Sequence, residues 1–143
     1  MKPVLLFADR DTELCDLYAM FFAERGYEVE TAFDGLDCLN KLCRLGAAVL
    51  LLDRKLHWGG ADGVLACLRA QTPKPGVSVV LTAGPDDPPD VASDTEPPVI
   101  ACLTKPFTPE LLLETVRTAI PDRRQEEPFV PIQVVTSEAS AIE

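Results

Sequence analysis

Residues 47–53 read AAVLLLD, an unbroken apolar run that stops at a carboxylate. A half-buried strand alternates apolar and polar residues, and an amphipathic helix repeats every three or four. This run does neither. It suits a strand covered on both faces, as in the middle of a parallel sheet. The rest of the chain must then supply further strands and the helices that cover them.

The flanking sequence does so. Residues 4–8, VLLFA, are a second buried run. Residues 12–25 follow as a helix, with Leu14, Leu17, Tyr18 and Phe21 at helical spacing and Gly26 as its stop. Residues 28–32, EVETA, alternate like a short strand. Asp34 is placed to cap a helix over 35–45, with Leu36, Leu39 and Cys43 on one face. A glycine-rich loop over 54–63 leads into a helix near 62–71, with Val64, Leu65 and Leu68 inward. VSVVLTAG (77–84) and VIACLTKPF (99–107) are two more strands. Thr108-Pro109-Glu110 then starts a last helix. The threonine caps, the proline takes the first turn and the glutamate suits the dipole. Leu112, Val116 and Ala119 line its core side.

Strands and helices in alternation predict an α/β fold, a doubly wound five-stranded parallel sheet. The 143 residues fit one domain, over 1–120, with a tail over 121–143. The formal net charge of −10 argues against binding nucleic acid or an anionic membrane, since both are polyanions. No apolar stretch suggests a membrane span, and the first residues lack a signal-peptide core. The five cysteines, Cys15, Cys38, Cys43, Cys67 and Cys102, contain no CxxC pair. They read as reduced, mostly buried thiols of a cytoplasmic protein. With His57 the only histidine, no zinc spacing exists.

Ligands of doubly wound sheets sit beyond the carboxyl ends of the strands. Those ends here carry Asp9, Asp53, Thr82 and Lys105. Each alone is ordinary, as a cap or a solvated loop residue. Together they suit phosphoryl chemistry. A carboxylate can attack a phosphoryl group and form an acyl phosphate. Asp9 and Asp53 offer carboxylates to Mg²⁺, which favours oxygen ligands, while Lys105 and the Thr82 hydroxyl suit the phosphoryl oxygens.

Over roughly residues 3–120 the chain resembles a response-regulator receiver domain of two-component signalling, a flavodoxin-like fold. The residues that carry the resemblance are Asp9, Asp53 in AVLLLD, Asp62-Gly63, Thr82-Ala83 in VVLTA, and Lys105-Pro106-Phe107 in LTKPF. It implies that Asp53 accepts a phosphoryl group from a histidine kinase or phosphotransfer protein. It implies Mg²⁺ held by Asp9, Asp53 and the backbone carbonyl of Lys55. It also implies that Thr82 and Lys105 sense the phosphoryl group. The module it describes is a stand-alone, non-enzymatic receiver that signals to a downstream protein partner, with a homodimer one assembly open to it.

The chain departs from the family pattern at several places. Receivers usually carry two adjacent acids after the first strand, and here the first is Ala8. Asp11 is better placed to cap the first helix. Losing one anion, with Lys55 adding a positive charge, predicts weakly held Mg²⁺. His57 stands in a place usually held by proline, and Trp58 follows it. Residues 84–98, where the fourth helix belongs, hold five prolines and five acids, which predicts a degenerate helix. Cys102 replaces the aromatic switch residue. The tail is too short for a DNA-binding output domain. It reads either as disordered or, through Phe129, Val130, Ile132, Val134 and Val135, as a docking strand.

Two alternatives accompany this reading. One is a pseudo-receiver, a binding module that works without phosphorylation. The other is a haloacid-dehalogenase-like phosphatase, which LLFADRDT at residues 5–12 resembles, with Asp9 as nucleophile and Asp11 as acid/base. The second leaves Asp53 without a role.

Overall fold

A computed structural model of the chain describes residues 2–57, 60–71, 76–87, 96–120 and 133–135. Its elements in chain order are β1 (Val4–Ala8), α1 (Thr12–Ala23), β2 (Glu28–Ala32), α2 (Gly35–Leu45) and β3 (Val49–Asp53). Then come α3 (Gly60–Ala70), β4 (Ser78–Ala83), β5 (Val99–Thr104), α4 (Pro109–Ala119) and β6 (Gln133–Val135). Trp58, the residues 88–95 of the proline-rich segment and the tail apart from β6 lie outside the described residues.

The strands form one sheet in the order β2-β1-β3-β4-β5-β6, and each neighbouring pair is parallel. The five strands expected from the sequence are all present. A sixth, β6, extends the sheet beyond β5. Every residue of β3 is buried, as the unbroken apolar run requires. The alternation of side chains along β1 divides the core into two layers. Leu6 and Ala8 join Leu50, Leu52, Val79 and Leu81 beneath α2 and α3. Leu5 and Phe7 join Val49, Leu51 and Val80 beneath α1 and α4.

The caps form as their side-chain chemistry dictates. The carboxylates of Asp11 and Asp34 and the hydroxyl of Thr108 each accept the N–H three residues on. In α3, Val64, Leu65 and Leu68 are buried, and in α4 so are Leu112, Val116 and Ala119. The inward faces of the first two helices differ from expectation. In α1, Leu17 is exposed, and the buried residues are Cys15 and Phe22, with Tyr18 and Phe21 packed beside them. In α2, Leu36 and Cys43 are exposed, whereas Cys38 is buried and Leu39 and Leu42 pack against the core. α1 is apolar on most sides, so its periodicity does not choose a face; in α2, Leu36 and Cys43 lie at the edges of an apolar stripe whose centre, Cys38, Leu39 and Leu42, turns inward. Nor are the thiols mostly buried, since Cys43 and Cys67 are exposed and Cys102 is half-buried; none of the five is in a disulfide.

Candidate functional site

The strand order reverses direction between β1 and β3, because β2 lies on one side of β1 and the later strands on the other. A crevice opens where neighbouring strands send their crossovers to opposite faces. Asp9 follows β1 and Asp53 ends β3, so the sheet sets both carboxylates at this point. Thr82 on β4 is the direct neighbour of Asp53 in the ladder. Asp53 and Thr82 have the parity of the α1/α4 layer along their strands. Ala8 has the other parity and is sealed in the α2/α3 layer with Ala32, Cys38 and Leu56.

Lys105 ties the two carboxylates together. Its ammonium lies 2.8 Å from Asp9 Oδ2 and 3.7 Å from Asp53 Oδ1. The backbone fixes the base of this lysine, since its N–H donates to the Ala83 carbonyl at 2.7 Å. Asp9 Oδ1 accepts the Asp11 N–H at 2.9 Å. Asp53 Oδ1 accepts the Lys55 N–H at 3.2 Å. Asp53 Oδ2 is buried and accepts no hydrogen bond among the described residues. The guanidinium of Arg10 faces it, with Nε at 3.5 Å.

Burial pushes the Asp53 carboxyl above its ordinary range, and the neighbouring charge of Asp9 adds to that. Lys105, the Lys55 N–H and Arg10 oppose the shift. The Asp9 charge and burial likewise push Cys15 and Tyr18 up to about 12, with burial the larger cause in both. A carboxylate that is buried, incompletely bonded and faced by cations is suited to react with an electrophile whose own charge those cations offset.

Sequence reading had singled out Asp9, Asp53, Lys55, Thr82 and Lys105, and the structure brings all of them to this edge. Asp62 lies in the first turn of α3. Two residues were missed. Arg10 draws no reading from the sequence, because its ion pair to Asp53, at the end of another strand, leaves no local pattern. Asp87 sits within the proline-rich segment, yet its carboxylate pairs with Lys55 at 2.7 Å and accepts the Gly84 N–H at 2.7 Å. The one available signal was its position just beyond the end of β4.

A doubly wound sheet of this order, with acids at its switch point and a lysine bridging them, defines a receiver-type signalling module. Residues 5–117 match the response regulator receiver domain family, and the chain belongs to that family. It is 29% identical over 120 residues to the transcriptional regulatory protein GlrR of Escherichia coli, covering 83% of this chain and 27% of that one. It is 27% identical over 140 residues to the DNA-binding response regulator MtrA of Mycobacterium tuberculosis, covering 96% and 59%. The chain thus spans less than two thirds of the length of these curated relatives. Among solved structures, the chemotaxis response regulator CheY4 of Vibrio cholerae matches with a TM-score of 0.73 at 22% identity, over 84% of this chain and all of that one. A putative response regulator from Chloroflexus aurantiacus matches at 0.74 and 20% identity, over 83% and 98%. These likenesses establish the fold.

Receiver domains are signalling modules that interact with histidine kinases or phosphotransfer proteins and bind Mg²⁺ at an acidic pocket. The residues of this pocket fit a tightly held Mg²⁺ poorly. Among the described residues the pocket offers two carboxylates, Asp9 and Asp53, because Ala8 contributes no oxygen and faces the apolar layer. Asp9 has both oxygens engaged, one by a backbone N–H and one by Lys105. Asp53 faces Lys105 and Arg10. Among the described residues no cluster of three or more acidic, cysteine or histidine side chains is arranged to hold a metal.

Proposed function

We propose that this receiver domain accepts a phosphoryl group on Asp53 and passes the signal on by contact with another protein. The observation that carries the reading is the state of Asp53. It is buried at the switch point, ladder partner to Thr82, within reach of Lys105, and its Oδ2 has lone pairs that no hydrogen bond claims among the described residues. Asp9 is in the opposite state, with both oxygens engaged, which speaks against the phosphatase reading in which it is the nucleophile. The donor class is a phosphohistidine of a kinase or phosphotransfer protein. Lys105 and Thr82 meet the phosphoryl oxygens after transfer. Mg²⁺, expected on Asp9, Asp53 and the Lys55 carbonyl, is at most a weak ligand of this donor set. No described helix is long and apolar enough to cross a membrane, which accords with a cytoplasmic place for the domain.

Incubation with a small phosphodonor tests the reading. Intact protein is expected to gain one phosphoryl group as an acid-stable, base-labile adduct, and Asp53→Asn to gain none. Absence of that mass in the wild type would sink it.

A second reading, a binding module indifferent to phosphorylation, draws on one observation. β6 lies along β5, with Cys102 opposite Val134, so an edge available for partners is occupied by the chain itself. That reading requires partner binding unchanged by Asp53→Asn.

A further inference from the structure

The geometry points to Arg10 as the cation that receives the phosphoryl group at Asp53, in place of a divalent metal; this rests on the phosphoacceptor reading of Asp53. Two carboxylates, Asp9 and Asp53, face two cations, Lys105 and Arg10, at distances between 2.8 and 3.7 Å. The cluster is neutral from its own side chains. Lys55 does not disturb the balance, because its ammonium is paired with Asp87. A divalent ion entering here would meet no net negative charge and would have to displace a side-chain cation first.

Position separates the two cations. Lys105 is spent on Asp9 Oδ2 and on Oδ1 of Asp53. Arg10 stands at the other oxygen, Oδ2, which accepts no hydrogen bond among the described residues. Nε at 3.5 Å is beyond a good hydrogen bond but close enough for strong charge attraction. The guanidinium is planar and presents five N–H donors in a fork that matches phosphoryl oxygens. Its side chain is 47% exposed, so it can follow an incoming group, whereas the Asp53 side chain at 3% cannot.

The step is a transfer from nitrogen to oxygen. Asp53 Oδ2 attacks the phosphorus of a phosphoramidate donor. The O–P bond forms as the P–N bond breaks. The electron pair leaves with the nitrogen, which takes a proton from solvent. One carboxylate charge is replaced by a phosphoryl group carrying close to two. The site gains about one negative charge, and a fork of donors at Oδ2 is where that charge develops.

Phosphoramidate, with intact mass as readout, tests this in EDTA and in Mg²⁺. The wild type is expected to phosphorylate in EDTA within about threefold of its rate in Mg²⁺. Arg10→Gln, an exposed change that leaves the core intact, is expected to lose about tenfold or more in EDTA, the size of one charge-assisted hydrogen bond. Arg10→Lys is expected to fall between, since it keeps the charge and loses the fork. As a second readout, the amide resonance of Lys55, whose N–H donates to Asp53, is followed during Mg²⁺ titration of the wild type. No saturable shift at physiological Mg²⁺ is expected. Phosphorylation that EDTA abolishes, Arg10→Gln equal to wild type in EDTA, or a saturable shift overturns the role of Arg10 and leaves Asp53 as acceptor. No phosphoryl mass under either condition overturns both.

Discussion

Lys55 Nζ lies 2.7 Å from Asp87 Oδ1, and this contact joins the loop after β3 to the turn after β4. The two loops flank Asp53. Asp87 also accepts the Gly84 N–H, so one carboxylate holds its own turn and the neighbouring loop together. The Lys55 partner and the Gly84 N–H hold the Asp87 carboxyl below its ordinary value of 3.8. A lowered value means that the folded state favours the charged form. The stabilisation is therefore present above pH 3.8 and lost as pH falls through the lowered value. Asp87→Ala is expected to cost about 1 kcal/mol at neutral pH, because Lys55 is largely solvated. Urea unfolding at pH 7 and at pH 3 should show that difference shrinking in acid.

Asp53→Asn is expected to make the fold more stable while ending phosphoacceptance. The Asp53 side chain is 3% exposed and one oxygen has no hydrogen bond among the described residues. A buried charge in that state works against folding, and functional sites often carry such a cost. The carboxyl is pushed up by burial and by Asp9, so wild-type stability falls as pH rises from 3.8 through the raised value. The asparagine variant should lack that fall. A rise in the thermal midpoint at pH 7, equivalent to about 1 kcal/mol, is the expected sign and size.

Gly60→Ala is expected to damage the loop beyond Asp53. Gly60 has φ +64, and a Cβ there would lie 3.0 Å from the Arg54 carbonyl oxygen. That oxygen also accepts the Ala61 N–H at the start of α3. Left-handed backbone costs an L residue about 1 kcal/mol, and a clash with backbone cannot be relieved by a rotamer change. A loss of about 2 kcal/mol in urea unfolding is expected.

The thiols should divide by reactivity. Burial, with nearby acids, pushes Cys15 and Cys38 up to about 12, so both stay protonated at pH 8. Cys43 and Cys67 are exposed. Iodoacetamide at pH 8 is expected to label Cys43 and Cys67 first, and Cys15 and Cys38 only after unfolding. Peptide mapping over time reads the order.

Much of the fold was legible because its strands are short unbroken apolar runs that stop at a polar residue. AAVLLLD and VVLTA announce both their burial and their site residues. Asp11, Asp34 and Thr108 were legible as caps because a cap is a local event. The helix faces of α1 and α2 were less so. Leu17 and Leu36 looked inward and are exposed, since which part of an apolar face turns inward depends on the sheet face that the helix meets. Ala8 was read as a missing acid; the structure adds that its side chain belongs to an apolar layer. Arg10 and Asp87 were illegible for another reason. Their partners, Asp53 and Lys55, come from other elements, and long-range ion pairs leave no spacing to read.

The sixth strand alters the terms on which anything else can bind beside β5. Ala101, Cys102 and Leu103 have Gln133, Val134 and Val135 as register partners. A peptide from outside that seeks the same rim competes with a segment tethered to the domain at Ile120. Because that segment is part of the same chain, dilution does not lower its local concentration, which for an intramolecular strand is on the order of millimolar. A free strand must therefore exceed that concentration or bind correspondingly more tightly, and a partner that first grips the tail gains access at far lower cost.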